Sequence, residues 1–349
     1  MITFIGPHVK ATGSNDGVTS RVMAIDSLFA AQKRTYLSIS FTKHIFMEKY
    51  IDNKCTIIKC NYFIHFFFVL YMIARSRYVY IHTMMNYLRS MPIIIFKQHV
   101  IVDIHGVLVD ELKYNGAPRW KIILYTFVEK LITRYSFKII CVTNQMKKYY
   151  IDKFKISNNK IEVLPIFSQS VDFSLVKNKH YDMKTIIYAG NLDKWQRVDE
   201  MLKLASTHPQ FRYQFLVSNI DEFKKKMDKF CFDNIILNYD SVPKEKVIDY
   251  YKQASFGFVI RDNNILNKVS CPTKLVEYIC NGIIPIMNDF QLGDFKGLRY
   301  ISVEKFNNGN IPTENILRKM AYQNAILYSR IYNQAKLTVS FLQNIIMGK

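Results

Sequence analysis

The stretch NKVSCPTKLVEYICNGIIPI, Asn267–Ile286, decides the fold. It reads as a loop, a helix opened by Pro272, a stop at Gly282 and an apolar strand. Pro suits the first helical position, Cys271 or Ser270 can take the cap, and Gly commonly follows a helix end. Val276, Ile279 and Cys280 recur at helical spacing and would face a core. Capping and packing leave three charged residues unexplained: Arg261 in the preceding FVIRDNN, Lys274 and Glu277. The free N–H groups of Thr273 and Lys274 point into the loop, where the helix dipole favours negative charge. Arg261 adds a cation at the end of the preceding strand, from which a pyrophosphate site would benefit. Glu277, about one turn further in, can accept hydrogen bonds from ribose hydroxyls. It can equally form an ordinary helix salt bridge with Lys274 or a neighbour.

Working outward, strand-like and helix-like runs alternate along the whole chain. ITFIG, TYLSIS, YVYIH, HVIVDIHG, KIICVT and IEVLP are strand candidates before a polar stretch around Ser168–Met183. TIIYAG, FRYQFLVS, IIL, FGFVIR, IIPIM and YISV come after it, with helices over Arg197–Ser206, Asp221–Lys229, Lys244–Gln253 and Pro272–Asn281. Short apolar strands separated by helices predict parallel βαβ construction. The expected class is therefore α/β, with two Rossmann-like domains facing a cleft. The boundaries predicted are an N-terminal domain over 1–167, a linker over 168–183 and a second domain over 184–325. The segment 326–349 continues a helical tail that begins near Thr313, and it is expected to pack back across the domain interface.

Composition narrows the partners. The 48 Lys and Arg against 28 Asp and Glu give a formal charge of +20, which attracts phosphates of any kind without choosing among them. A solvated basic surface is the plainer reading of the same number. The 49% hydrophobic content and only 12 Gly and 9 Pro exclude a disordered or collagenous chain. Cys55, Cys60, Cys141, Cys231, Cys271 and Cys280 form no C-x-x-C pair and have no His cluster beside them, so free thiols in a reducing cytoplasm are expected. MITFIGPHVK reads as a first strand rather than as a secretory leader. The apolar run YFIHFFFVLYMIA, Tyr62–Ala74, is shorter than the roughly 20 residues that span a bilayer. It is either a buried helix or, given Lys59, Arg75 and Arg77 at its flanks, one that dips into a membrane surface.

Ligands of open parallel sheets bind beyond the carboxyl ends of strands, so the loops there are the places to inspect. After the first strand, Gly13 and Gly17 bracket Ser14-Asn15-Asp16 ahead of a helix carrying Arg21. Such a loop lets backbone N–H groups approach an anion or a sugar, but it lacks the spacing of a dinucleotide or P-loop motif. In VDIHGVLVDE, His105 ends a strand that contains Asp103, with Asp110 and Glu111 beyond. His105 can carry a proton near neutral pH or merely tie a loop carbonyl; Asp103 and Glu111 are the acids beside it. In YAGNLDKWQRVDEML, Gly190 ends a strand, and Asn191, Lys194 and Gln196 precede the helix as candidate phosphate contacts. Trp195 is a lid or a loop anchor.

The order of these segments resembles bacterial glycosyltransferases of the GT-B fold, close to glycosyltransferase family 4. Ser270 to Tyr278 matches the subgroup pattern S-x-P-x-K-x-x-E-Y, the most specific element of the likeness. VTNQMKKYYIDKFKISNNKIEVLPIFSQSVDF is similar to the family's end-of-first-domain segment, and the Gly190 loop to its donor loop. The resemblance implies that Glu277 binds the nucleotide ribose and that Ser270, Thr273 and Lys274 lie by the diphosphate. It also implies that Gly13 to Gly17 face the donor and that His105 sits near the transferred sugar. The sequence departs from the pattern in four places. Val269 stands where the family has a Glu, Asn191 and Gln196 stand where its donor loop carries Arg and Lys, and Arg197 replaces that loop's second Gly.

The leading expectation is a cytoplasmic enzyme, peripheral to the inner membrane face in the sharper alternative. It would move a sugar from a nucleotide-diphosphate donor to a saccharide or lipid-linked saccharide acceptor in surface polysaccharide synthesis. Retention of configuration is implied by the family. No D-x-D motif is present, so no catalytic metal and no other cofactor are expected. A nucleotide-sugar epimerase of similar fold is the alternative within enzymes. A nucleic-acid-binding protein is the alternative outside them, but no recognition module is visible and no nucleic-acid partner is expected.

Overall fold

The computed structural model describes residues 2–8, 17–166 and 170–347. The chain divides into two compact units. The first holds the chain up to Ile166, together with Val269–Cys271 and the end of the chain from Gln334. The second holds Phe167–Lys268 and Pro272–Asn333.

The first unit is built on β1 (Ile2–Ile5), β2 (Arg34–Ser40), β3 (Glu48–Asp52), β4 (Cys55–Asn61), β5 (Tyr78–His82), β6 (Val100–Ile104), β7 (Lys138–Cys141) and β8 (Ile161–Val163). They form one sheet in the order β3-β4-β2-β1-β5-β6-β7-β8. Every pairing is parallel except β3 against β4. β1, β5 and β6 are buried along their whole lengths, as continuous apolar strands covered on both faces must be. Phe4 stacks on Tyr36 at 4.8 Å and tilts against Tyr80 at 5.5 Å, fixing the centre of this core.

The second unit carries β9 (Thr185–Gly190), β10 (Arg212–Val217), β11 (Ile236–Asp240), β12 (Phe256–Phe258), β13 (Ile284–Met287) and β14 (Ile301–Ser302), in the all-parallel order β11-β10-β9-β12-β13-β14. Numbered within the unit, that order is 3-2-1-4-5-6, the doubly wound order whose ligand crevice lies where the order reverses. Here the reversal falls between β9 and β12. Setting aside the edge strand β3, the first sheet runs β4-β2-β1-β5-β6-β7-β8 and reverses between β1 and β5.

The hairpin β3–β4 is absent from the sequence reading. It turns at Asn53, which takes a positive φ of 51°, and Lys54 rather than at an Asn-Gly pair. β3 itself is largely exposed and charged. The expected linker 168–183 also differs. Its described part carries a short helix, Phe173–Lys177, and buries Lys179 and Tyr181. Lys179 Nζ donates to the carbonyl of Tyr251 at 2.7 Å and Tyr181 Oη to that of Gly282 at 2.6 Å, so this stretch is part of the second unit's body. The tail forms one helix, Glu314–Met347. Its end packs on the first unit, where Thr338 Oγ1 donates to the Val163 carbonyl at 2.8 Å and Gln343 Nε2 to the Leu28 carbonyl at 2.9 Å.

One glycine sets the depth at which the helix Thr273–Cys280 lies on its sheet. A Cβ at Gly257, in β12, would stand 2.3 Å from the Tyr278 ring. Tyr278 is fully buried there and donates its hydroxyl to the Ile187 carbonyl at 3.2 Å. Gly257→Ala is therefore expected to lower unfolding free energy by about 2–3 kcal/mol, as overpacking does. Urea unfolding of the variant measures it, and unchanged stability would mean that the helix can lift off without cost.

Candidate functional site

In the second unit, the crevice between β9 and β12 is where the sequence's charged residues meet. Pro272 proves to be the cap rather than the first helical residue, because its ψ of 117° is extended. Its carbonyl accepts from the N–H groups of Leu275 at 3.1 Å and Val276 at 3.3 Å. The helix begins at Thr273, and the cap residue's side chain leaves its leading N–H groups uncovered. Lys274, in that turn, is buried and points back toward β9. Its Nζ donates to Gln196 Oε1 at 2.9 Å and lies 3.8 Å from the centroid of the Tyr188 ring. Gly190 makes this possible: a Cβ there would stand 2.7 Å from Lys274 Nζ.

Arg261, just past β12, reaches the same glutamine. Its Nη2 lies 3.5 Å from Gln196 Oε1, and its Nη1 donates to Asn267 Oδ1 at 3.2 Å. The guanidinium Nε is buried without a partner among the described residues. Among those residues too, no carboxylate lies within ion-pair distance of Arg261 or Lys274. Burial lowers Arg261 to about 10. Burial, and then the Arg261 charge, hold the Lys274 ammonium well below the ordinary lysine range. Two buried basic side chains therefore share one neutral acceptor, and holding both charged is costly without an anion.

Glu277 does not pair with Lys274. Half-buried, its Oε2 accepts from Tyr251 Oη at 2.8 Å, a bond that holds the carboxylate in one orientation and leaves it further lone pairs. Asn191 is exposed, and its carbonyl accepts from Tyr188 Oη at 2.5 Å. Lys194 is exposed on the single 3₁₀ turn Lys194–Gln196 and is not part of the Arg261–Gln196–Lys274 cluster. Thr273 is half-buried at the helix start. Ser270 groups with the first unit, next to Val269, whose carbonyl accepts from Thr143 Oγ1 at 2.6 Å. Gly13 lies outside the described residues, and Gly17 is the first residue of the helix Gly17–Ser27.

The sequence reading missed Tyr188, Tyr251 and Asn267. Tyr188 could have been suspected from its place in the strand two residues before Gly190. Its role under Lys274, 86 positions away in sequence numbering (274 − 188), has no local signal.

In the first unit, Asp103 and His105 come together at the end of β6, with His105 Nε2 3.2 Å from Asp103 Oδ2. Asp103 is fully buried and held by Arg21, whose Nε and Nη2 both reach it, at 2.9 Å and 2.8 Å. Arg21 Nη1 also donates to the Leu164 carbonyl at 2.9 Å. Burial alone would raise the Asp103 carboxyl, but the Arg21 charge and His105 overcome it and hold it well below the usual carboxylate range. His82, at the end of β5, lies 3.8 Å from the same carboxylate, and burial depresses its imidazole below the ordinary histidine range. Asp103's partners do not include Glu111, which sits half-buried in the first turn of the helix Leu108–Tyr114. Asp103 therefore acts on anything outside the protein only through His105.

Among the described residues, two groups could bring three metal-ligand atoms within 4.8 Å: His82, Asp103 and His105, and His8, Asp26 and Cys55. A guanidinium already neutralises each carboxylate, Arg21 at Asp103 and Arg34 at Asp26. Neither group offers a cation an uncompensated negative charge.

Two α/β units with reversing parallel sheets, and a C-terminal helix that ends on the first, make the fold GT-B-like. No protein-family model and no curated protein matches the sequence. Solved structures do match. Sucrose-phosphate synthase from Thermosynechococcus elongatus is similar at TM-score 0.69 and 12% identity, over 100% of this chain and 99% of that one. HepE from Anabaena, solved in complex with UDP and glucose, is similar at TM-score 0.67 and 10% identity, over 98% and 99%. The lipopolysaccharide outer core galactosyltransferase WaaB is similar at TM-score 0.58 and 14% identity, over 97% and 99%. At these identities the likeness shows the fold.

Proposed function

We propose that the chain is a glycosyltransferase that moves a sugar from a nucleotide-diphosphate donor to a saccharide acceptor in bacterial surface polysaccharide synthesis. The observation that carries this reading is the pair of buried cations, Arg261 and Lys274, with no ion-paired carboxylate beside them among the described residues at the crevice of the second sheet. A diphosphate supplies the compensating charge, and the uncapped helix start at Thr273 adds N–H donors. Support also comes from the shared fold, since HepE was solved with UDP and WaaB is a galactosyltransferase.

In transfer, the bond between the sugar's anomeric carbon and the diphosphate oxygen breaks, and the acceptor hydroxyl oxygen bonds to that carbon while losing its proton. Lys274 and Arg261 stabilise the charge that grows on the departing diphosphate, the work a metal ion does elsewhere. Glu277, oriented by Tyr251, accepts from the ribose hydroxyls. His105 lies beside the transferred sugar, oriented by Asp103. Retention of configuration belongs to this reading. The acceptor is lipid-linked, and the enzyme works peripherally at an anionic membrane face. An epimerase needs free acids to move protons, and Asp103 is committed to Arg21.

Calorimetric titration with UDP-, GDP-, dTDP- and CMP-sugars tests the reading, with one of them expected to bind in the micromolar range. Glu277→Ala is expected to weaken that donor about tenfold, the loss of a charge-assisted hydrogen bond, at unchanged melting temperature. Equal donor binding by the variant would remove Glu277 from the ribose. No binding by any nucleotide sugar would overturn the proposal.

A further inference from the structure

The sequence left open whether the run Tyr62–Ala74 is a core helix. Its helical part, Phe66–Arg75, turns Val69, Met72 and Ile73 inward. Its outward face is apolar too: Phe67, Leu70, Tyr71 and Ala74 recur at helical spacing and are all exposed. A surface helix of a free-standing globular unit normally carries charge on that face. This one carries none until Arg75.

The face continues into neighbouring loops. Phe41 touches Tyr62 and Phe63, each at 5.6 Å between ring centroids, and Tyr62 leads on to Phe66 at 5.7 Å and Phe66 to Phe67 at 5.6 Å. Asn61 ties the two segments by donating from Nδ2 to the carbonyls of Phe41 at 3.2 Å and Lys43 at 3.1 Å. Phe46, in the loop that Asn61 anchors, is 86% exposed, and Phe67 is 81% exposed. Rings of this size, left so open on contiguous elements, mark an interaction surface. Interleaved with them are exposed Lys43 and Lys49, with Arg75 and Arg77 at the helix end.

Its place on the sheet gives the patch a direction. β2 and β4 end at Ser40 and Asn61, where the patch begins, and both run parallel to β1, β5 and β6. The patch therefore lies at the same edge of the first sheet as His82 and His105. From β4 to β6 is four strand spacings, about 19 Å.

We propose that this patch, built from the loop before β3 and the outward face of the helix Phe66–Arg75, docks the protein on an anionic lipid bilayer. Phe46, Phe63 and Phe67 enter between headgroups while the lysines and arginines meet lipid phosphates, the pattern of an interfacial anchor. Docked in this way, the His105 edge of the sheet faces the membrane. The proposal rests on the reading of a lipid-linked acceptor only for that use of the surface; lipid binding is measured without donor or acceptor, so the two fail separately.

The test is sedimentation of the full chain with vesicles of phosphatidylcholine alone or mixed with phosphatidylglycerol. The protein is expected to pellet with the anionic vesicles and to remain mostly in solution with the neutral ones. Phe67→Glu and Phe46→Glu, both at open positions, are expected to lower the bound fraction at least tenfold with unchanged melting temperature. Lys43→Glu combined with Lys49→Glu is expected to reduce the preference for anionic lipid. Failure of the wild-type chain to pellet overturns the proposal, as does equal pelleting by the two Phe variants. So does a dimer in sedimentation velocity that Phe67→Glu dissociates, because the patch would then cover a second copy.

Discussion

Lys274→Met is expected to weaken nucleotide-sugar binding about a hundredfold while raising the melting temperature of the ligand-free protein. The two effects have one cause. Lys274 is buried beside Arg261 and the neutral Gln196, with no carboxylate of the described residues at ion-pair distance and only partial compensation from Glu277 and Asp193, so its charge costs the folded state until an anion binds. Methionine keeps the unbranched stem and removes the charge, leaving Arg261 without a like-charged neighbour. About 1–3 kcal/mol of stability is the expected gain, by analogy with buried charges replaced by apolar side chains. The loss in binding is about 3 kcal/mol, a charge-assisted contact to phosphate. Calorimetry and thermal unfolding check both arms. A lower melting temperature with unchanged donor binding would make Lys274 a structural residue.

The same lysine gives a pH dependence of definite sign. Its folded pKa is depressed below the ordinary 10.5, so between the two values the unfolded chain binds more protons than the folded one. Ligand-free stability therefore rises with pH through that window. A diphosphate reverses the depression by favouring the ammonium. Donor binding then takes up a proton and weakens as pH rises, which titrations in buffers of different ionisation enthalpy detect.

Asp103→Asn is expected to cost about 3–5 kcal/mol, near 10 °C in melting temperature, because it strands a buried guanidinium. Arg21 makes its charge-assisted contacts to that carboxylate, and its remaining bonds go to carbonyls of Leu164 and Pro165. His105→Ala removes a partly exposed ring at the rim of the same cluster, so its stability cost is small. Its turnover should fall by more than its donor affinity. If Asp103→Asn melts as wild type does, the Arg21 pairing is not what holds this part of the first unit. If His105→Ala turns over normally, histidine leaves the catalytic set.

Most of the strands were legible because burial on both faces forces continuous apolar runs, as in YVYIH and TIIYAG. β3 was not, because an exposed antiparallel edge needs no apolar run, and its turn at Asn53 has no glycine to announce it. Arg261, Gln196 and Lys274 were each legible as polar residues where a strand hands over to a helix. That they converge on a single amide depends on the reversal of strand order between β9 and β12, which no local pattern encodes. Glu277 shows the same limit. Its spacing offered Lys274 as a partner, but the fold gives Lys274 to Gln196 and Tyr251 to Glu277.

The shared strand order of the two sheets carries one more consequence. Beside the reversal point of the first sheet, on β6, opposite charges close on each other inside the chain, Arg21 against Asp103. At the reversal point of the second, like charges face each other, and Glu277 and Asp193 offset them only in part. The first cluster is neutralised by a direct ion pair, whereas the second has none among the described residues. A phosphate-bearing donor bound there would raise the folded population by mass action, so thermal stability would follow its concentration.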